Sequence, residues 1–92
     1  MSLIQQIILQ EFIITNEQGI HARPATNLVQ KTNKFKSDTF ITFNGITTDL
    51  KSIMGVLSLG VTRGSLITVR ANGVDDNAAL SKISQFIQEL NK

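Results

Sequence analysis

The stretch Thr39-Phe40-Ile41-Thr42-Phe43-Asn44-Gly45-Ile46-Thr47-Thr48-Asp49-Leu50 decides the fold. Thr39 to Phe43 is a β-branched and aromatic run of the kind that suits a pleated, half-buried surface. Asn44-Gly45 follows at once, and both residues tolerate the positive φ of a type I′ turn, the strongest short-range hairpin signal. Ile46 to Leu50 is then the returning strand. A two-stranded hairpin is not stable alone, so the rest of the chain must cover one of its faces.

Working outward, Ile7 to Thr15 alternates with Ile8, Phe12 and Ile14 on one face and reads as a strand. Asn16-Glu17-Gln18-Gly19 is a turn. A helix follows, with Ala25, Leu28, Val29 and Phe35 at helical spacing and Pro24 in its first turn, where proline is accepted. On the other side of the hairpin, Ser52 to Gly60 reads as a short helix, capped by Ser52 and closed by Gly60. Arg63-Gly64 turns the chain into a strand from Leu66 to Ala71. The last helix carries one apolar stripe, Ala79, Leu80, Ile83, Phe86, Ile87 and Leu90, and Asp75 and Asp76 are placed to cap its start. The order is βαββαβα. An α+β sandwich is expected, with a four-stranded antiparallel sheet, three helices on one face and the other face open to solvent.

The 92 residues suit one domain over positions 1–92, with residues 1–6 expected to be a loose or vector-derived extension. Cysteine is absent, so neither disulfides nor thiolate metal sites contribute, and 41% hydrophobic residues must supply the core. Without a second histidine or a dense carboxylate cluster, no metal site is expected. The opening apolar stretch lacks a basic flank and a cleavage site, and no run is long enough to span a bilayer, so a cytoplasmic location is expected. Net charge is +2, too small to argue for nucleic acid, and there is neither Trp nor Tyr. A small RNA-binding module is therefore the weakest reading. Arg23, Lys31, Lys34 and Lys36 fall in one stretch with no acid between them. They are either a docking face for acidic partners or, the plainer reading, a solvated helix face.

His21, the one histidine, immediately precedes the first helix. Free amides and the positive end of the dipole make a helix start an anion seat, and an uncharged imidazole there is a nucleophile facing that seat. Arg23 can add paired, charge-assisted bonds to phosphoryl oxygens. No Ser-His-Asp spacing is defensible, so His21 is a candidate nucleophile and not a triad base. In Ser52 to Gly60, Ile53, Met54, Val56, Leu57 and Leu59 surround most of a helical wheel. One short helix cannot bury all five, and an exposed apolar cluster marks a protein contact.

Gly19-Ile20-His21-Ala22-Arg23-Pro24-Ala25-Thr26 resembles the active-site motif of HPr, the histidine-containing phosphocarrier of the bacterial phosphoenolpyruvate:sugar phosphotransferase system. Lys51-Ser52-Ile53-Met54-Gly55-Val56-Leu57-Ser58-Leu59-Gly60 is similar to that family's second signature, of the Gram-positive type. The resemblance, spanning Phe12 to Leu90, implies an open-faced β-sandwich with four antiparallel strands and three helices. It implies that Nδ1 of His21 accepts a phosphoryl group from phosphorylated Enzyme I, with phosphoenolpyruvate as the original donor, and passes it to Enzyme IIA components in sugar uptake. Arg23 would assist at the phosphohistidine, with Ala22, Pro24 and Ala25 forming the helix start around it. Ile53, Met54 and Leu57 would meet partners. The resemblance further implies phosphorylation of Ser52 by HPr kinase/phosphorylase and contact with a catabolite-control transcriptional regulator. No cofactor, nucleic acid or membrane insertion is implied. A monomer is expected, because a carrier presents one face to successive partners. The alternative is an HPr-like regulatory module that binds proteins in carbon catabolite control.

Overall fold

The computed structural model describes residues 8–92. The elements run β1 (Ile8–Ile13), α1 (Ala22–Thr32), β2 (Asp38–Phe43), β3 (Ile46–Asp49), α2 (Ile53–Ser58), β4 (Leu66–Asn72) and α3 (Asp76–Leu90). The expected start of the first strand at Ile7 and the extension at residues 1–6 lie outside the described residues. The strands form one sheet in the order β1-β4-β2-β3, antiparallel throughout. The βαββαβα order and the open-faced α+β sandwich are as the sequence indicates.

The hairpin forms as its turn residues require. Asn44 and Gly45 take φ values of 53° and 77°, and the register pairs Phe43 with Ile46 and Thr42 with Thr47. The returning strand stops at Asp49, one residue short of the expectation. Leu50 turns inward and is fully buried, its amide donating to the Thr39 carbonyl at 2.9 Å. Alternation then sorts the two faces. Ile41 of β2 and Ile67, Val69 and Ala71 of β4 are buried beneath the helices. Against them pack Ala25, Leu28 and Val29 of α1, Val56 of α2, and Ala79, Ile83 and Ile87 of α3. Each fully buried Leu, Ile or Val stabilises the fold by about 1.5–3 kcal/mol relative to exposure. On the open face Leu9, Ile13 and Leu66 are exposed, and the Arg70 guanidinium lies 5.0 Å from the centre of the Phe40 ring. Antiparallel sheets tolerate one wet face of this kind.

Two local expectations are corrected. The helix expected to carry Phe35 ends at Thr32, leaving Phe35 half-buried in the turn beyond. The buried Thr32 hydroxyl is fastened to the Leu50 carbonyl at 2.7 Å. The Asn33 amide group donates to the Val29 carbonyl at 2.8 Å, and Phe35 N–H bonds to Thr32 in a tightened last turn. Asp75 is the N-cap residue of α3, yet its side chain does not cap that helix. It accepts instead from the amides of Lys36 and Ser37, at 2.9 and 2.8 Å, and from the Ser37 hydroxyl. These bonds, the Ser37 hydroxyl foremost, hold the Asp75 carboxyl below its ordinary 3.8, at about 2. Two amides of the α1–β2 connection thereby gain an acceptor that the loop itself does not supply. Asp76 turns to its neighbour, accepting from Asn77 N–H at 2.7 Å.

Candidate functional site

The approach to His21 is built by fixing the residues before it. Ile14 is fully buried and exchanges backbone bonds with Ser65 and Gly64. In the turn that follows, Asn16 donates its side-chain amide to the Gly19 carbonyl at 2.9 Å, and Gly19 N–H returns to the Asn16 carbonyl. Gly19 has a φ of +65°, and a Cβ there would stand 2.2 Å from the Val61 carbonyl oxygen and 2.7 Å from Thr62 Cα. Only glycine fits so close an approach. Ile20 is buried and donates to Val61 O at 3.0 Å. The segment after α2 therefore braces the residue just ahead of His21.

His21 is the N-cap of α1, with an extended backbone (φ −98°, ψ −165°) and no side-chain capping bond. Its carbonyl accepts from Ala25 N–H at 2.9 Å, while the imidazole is exposed. Pro24 and Ala25 are buried and anchor the first turn; Ala22 and Arg23 are exposed. Among the described residues the amides of Ala22 and Arg23 have no acceptor, and Pro24 has no N–H to offer. The Thr26 hydroxyl ties back to the Ala22 carbonyl at 2.9 Å. An exposed imidazole, two free amides at the positive end of an 11-residue helix and a nearby guanidinium can receive a phosphoryl group and hold its charge.

Ser52 caps α2 as expected, its hydroxyl accepting from Gly55 N–H at 3.0 Å. Of the five apolar residues around this helix, Val56 and Leu59 are buried. Leu57 is half-buried against the core. Ile53 and Met54 are 38% and 76% exposed, so the outward cluster consists of these two with the edge of Leu57.

The basic stretch does not form one patch. Arg23 lies in the first turn of α1 and Lys31 in its last, about 12 Å apart along the axis, and Lys34 and Lys36 lie beyond the helix end. Lys31 there complements the negative end of the dipole. Two shallow clefts, of about 310 and 350 Å³, run between α1 and α3 and share Lys31 and Phe86 in their linings. Neither includes His21. Among the described residues no three His, Cys, Asp or Glu side chains come together, and no helix is long and apolar enough to cross a membrane.

Three supports of the site act through partners that carry no sequence-local signal. Gly19 owes its role to a segment some forty residues later. Lys51 donates its ammonium to the Phe35 carbonyl at 2.9 Å, fastening the residue before Ser52 to the exit of α1. Asn91 accepts from Thr15 and Asn16 and donates to Ile13. The motif around Gly19 was visible; the partners of these residues were not.

A sequence model of the family described as the PTS HPr component phosphorylation site matches residues 8–89. Among solved structures the chain is similar to the phosphocarrier protein HPr of Bacillus anthracis, at 36% identity over 89% of this chain and 98% of that one, TM-score 0.84. It is similar to the mycoplasma histidine-containing phosphocarrier protein, at 36% identity over 91% and 96% of the two chains, TM-score 0.88. It is also similar to Crh, the catabolite repression containing protein of Bacillus subtilis, at 40% identity over 88% and 93%, TM-score 0.73.

Proposed function

Because the chain belongs to the HPr component family of the phosphotransferase system, we propose that it is a phosphocarrier whose acceptor is His21. Phosphorylated Enzyme I presents its phosphoryl group to Nδ1. The bond between phosphorus and Enzyme I breaks as the bond to Nδ1 forms, and the ring then surrenders the group to Enzyme IIA components in sugar uptake. Transfer of this kind is mostly positioning and charge stabilisation. Arg23 supplies charge-assisted bonds to the phosphoryl oxygens, and the free amides of Ala22 and Arg23 face the same charge. The observation that carries the reading is the exposed His21 ring at the start of α1, free of any capping bond.

Ile53, Met54 and Leu57 form the apolar part of the docking face for both partners. Phosphorylation of Ser52 by HPr kinase/phosphorylase places about −1.5 to −2 charges beside that face. The added charge weakens docking to Enzyme I and favours a catabolite-control transcriptional regulator. The carrier works in the cytoplasm as a monomer. Crh of Bacillus subtilis forms an intertwined dimer by domain swapping, so light scattering at working concentration is the check on that state.

Incubation with phosphoenolpyruvate and a compatible Enzyme I, followed by intact mass, tests the proposal. One added phosphate is expected, labile in acid, stable in base and absent from His21→Ala. No transfer, while a reference carrier is phosphorylated by the same Enzyme I, would refute it. The similarity to Crh favours a second reading, a regulatory module in carbon catabolite control. That reading predicts phosphate on Ser52 without transfer through His21.

A further inference from the structure

Where β1 ends, its ladder with β4 ends too, at the pair Ile13–Leu66. The chain must still travel from there to His21 through a turn whose backbone has few internal bonds. Asn91, the C-cap residue of α3, meets it with one carboxamide. Its Oδ1 accepts from Thr15 N–H at 2.9 Å and from Asn16 N–H at 3.2 Å. Its Nδ2 donates to the Ile13 carbonyl at 2.9 Å. For the amides of Thr15 and Asn16 this oxygen is the acceptor among the described residues. Asn16, held in this way, donates to the Gly19 carbonyl. Ile20 is pinned to Val61, and His21 follows.

We infer that Asn91 is a positioning residue for phosphoryl transfer, fixing through Asn16 and Gly19 the direction in which His21 enters α1. The inference rests on the reading of His21 as the acceptor. The geometry needs both ends of an amide, because the three bonded groups are two donors and one acceptor. Aspartate lacks the donor, and its carboxylate would face the Ile13 carbonyl; alanine supplies neither function. Asn91 lies at the end of the last helix, 75 to 78 positions from the groups it holds. The packing of α3 on the sheet is thereby transmitted to a turn that α3 does not otherwise bond.

The test uses the full chain with Asn91→Ala, Asn91→Asp and, as a matched control, Asp75→Ala. The control removes a long-range clasp of similar size at the α1–β2 connection. Phosphorylation of His21 is followed at saturating and at limiting Enzyme I, at a temperature where all variants are folded. For Asn91→Ala the saturated transfer rate is expected to fall about 10- to 100-fold, as displacing a reacting group by an ångström does. The half-saturating Enzyme I concentration should be little changed, since Ile53 and Met54 are untouched. Backbone amide shifts of Ile20, His21 and Ala22 should move in the same variant. Asn91→Asp should fall between Asn91→Ala and the unaltered chain, and it serves alone if alanine prevents folding. Asp75→Ala should leave both the rate and those shifts as they were.

Transfer by a folded Asn91 variant at the unaltered rate, or slowing no greater than that of Asp75→Ala, would overturn the role. Failure of the unaltered chain to accept phosphate would remove the acceptor reading itself and this role with it. The amide shifts would still report whether Asn91 holds the turn.

Discussion

Replacing Gly19 with alanine tests the account of how His21 is delivered. At φ +65° an L-residue is disfavoured by about 1–2 kcal/mol. The added Cβ would stand 2.2 Å from Val61 O and 2.7 Å from Thr62 Cα, and both obstacles are backbone, which cannot swing aside as a side chain would. Moving that segment away breaks the Ile20–Val61 hydrogen bond, worth about 0.5–1.5 kcal/mol net. Displacing packed atoms adds about 1–3 kcal/mol. The expected loss is about 3–6 kcal/mol, a large part of the 5–15 kcal/mol by which a domain is usually stable. Gly60 is the internal control. Its φ is +64°, but a Cβ there meets nothing within 4 Å, so Gly60→Ala should cost only the backbone share, about 1–2 kcal/mol. With neither Trp nor Tyr in the chain, far-ultraviolet circular dichroism is the practical readout, in urea and on heating. A gap of about 2 kcal/mol between the variants corresponds to about 8–16 °C in Tm for a domain of this size. Equal losses at Gly19 and Gly60 would refute the claim that close approach, and not backbone conformation alone, makes Gly19 necessary.

Three further outcomes follow from side chains already placed. The Asp75 carboxyl titrates near 2 in the folded chain against 3.8 ordinarily; its stabilisation is complete above about pH 4 and is lost as pH falls through 2. Acid unfolding between those limits should therefore be steeper in the unaltered chain than in Asp75→Asn, and parallel curves would refute the clasp. Thr32→Val strips the buried Leu50 carbonyl of its 2.7 Å donor and should cost about 1–3 kcal/mol in urea unfolding; no loss would show that the bond contributes nothing net. His21→Ala removes an exposed ring without a capping bond, so its stability should stay within about 0.5 kcal/mol, and a larger change would mean the ring has a structural partner.

What could be read from the sequence was what short range determines. Asn44-Gly45 announces its turn within two residues, Ser52 caps the helix that begins beside it, and the stripe from Ala79 to Leu90 repeats at a period that only a helix satisfies. His21, Arg23 and Pro24 lie together in the chain, so the helix start that they form was legible as well. Signals failed where a side chain serves a distant backbone. Asp75 looked like a cap for the helix beside it but bonds across 38 or 39 positions to Lys36 and Ser37. Periodicity carried Phe35 into α1, although the Thr32 hydroxyl, bonded to Leu50, lies where the helix stops. Asn91 at the end of α3 was indistinguishable from an ordinary solvated cap until its three bonds were seen. Nearness in the chain did not make a patch: Arg23 and Lys31, eight positions apart, stand at opposite ends of α1, in keeping with the plainer reading of a solvated helix face.

The strand order has a consequence for how the chain is made. Among the described residues β1 lies at the edge of the sheet and pairs with β4 alone, so during synthesis β1 is without that partner until β4 has followed. About 50 further residues must be added, which at about 5–20 residues per second takes some 3–10 s. The β2–β3 hairpin can close during that interval from contacts it already contains. The clasp of Asn91 arrives later still, with the end of α3. The segment leading into His21 is therefore synthesised well before β4 and α3, the elements that set it.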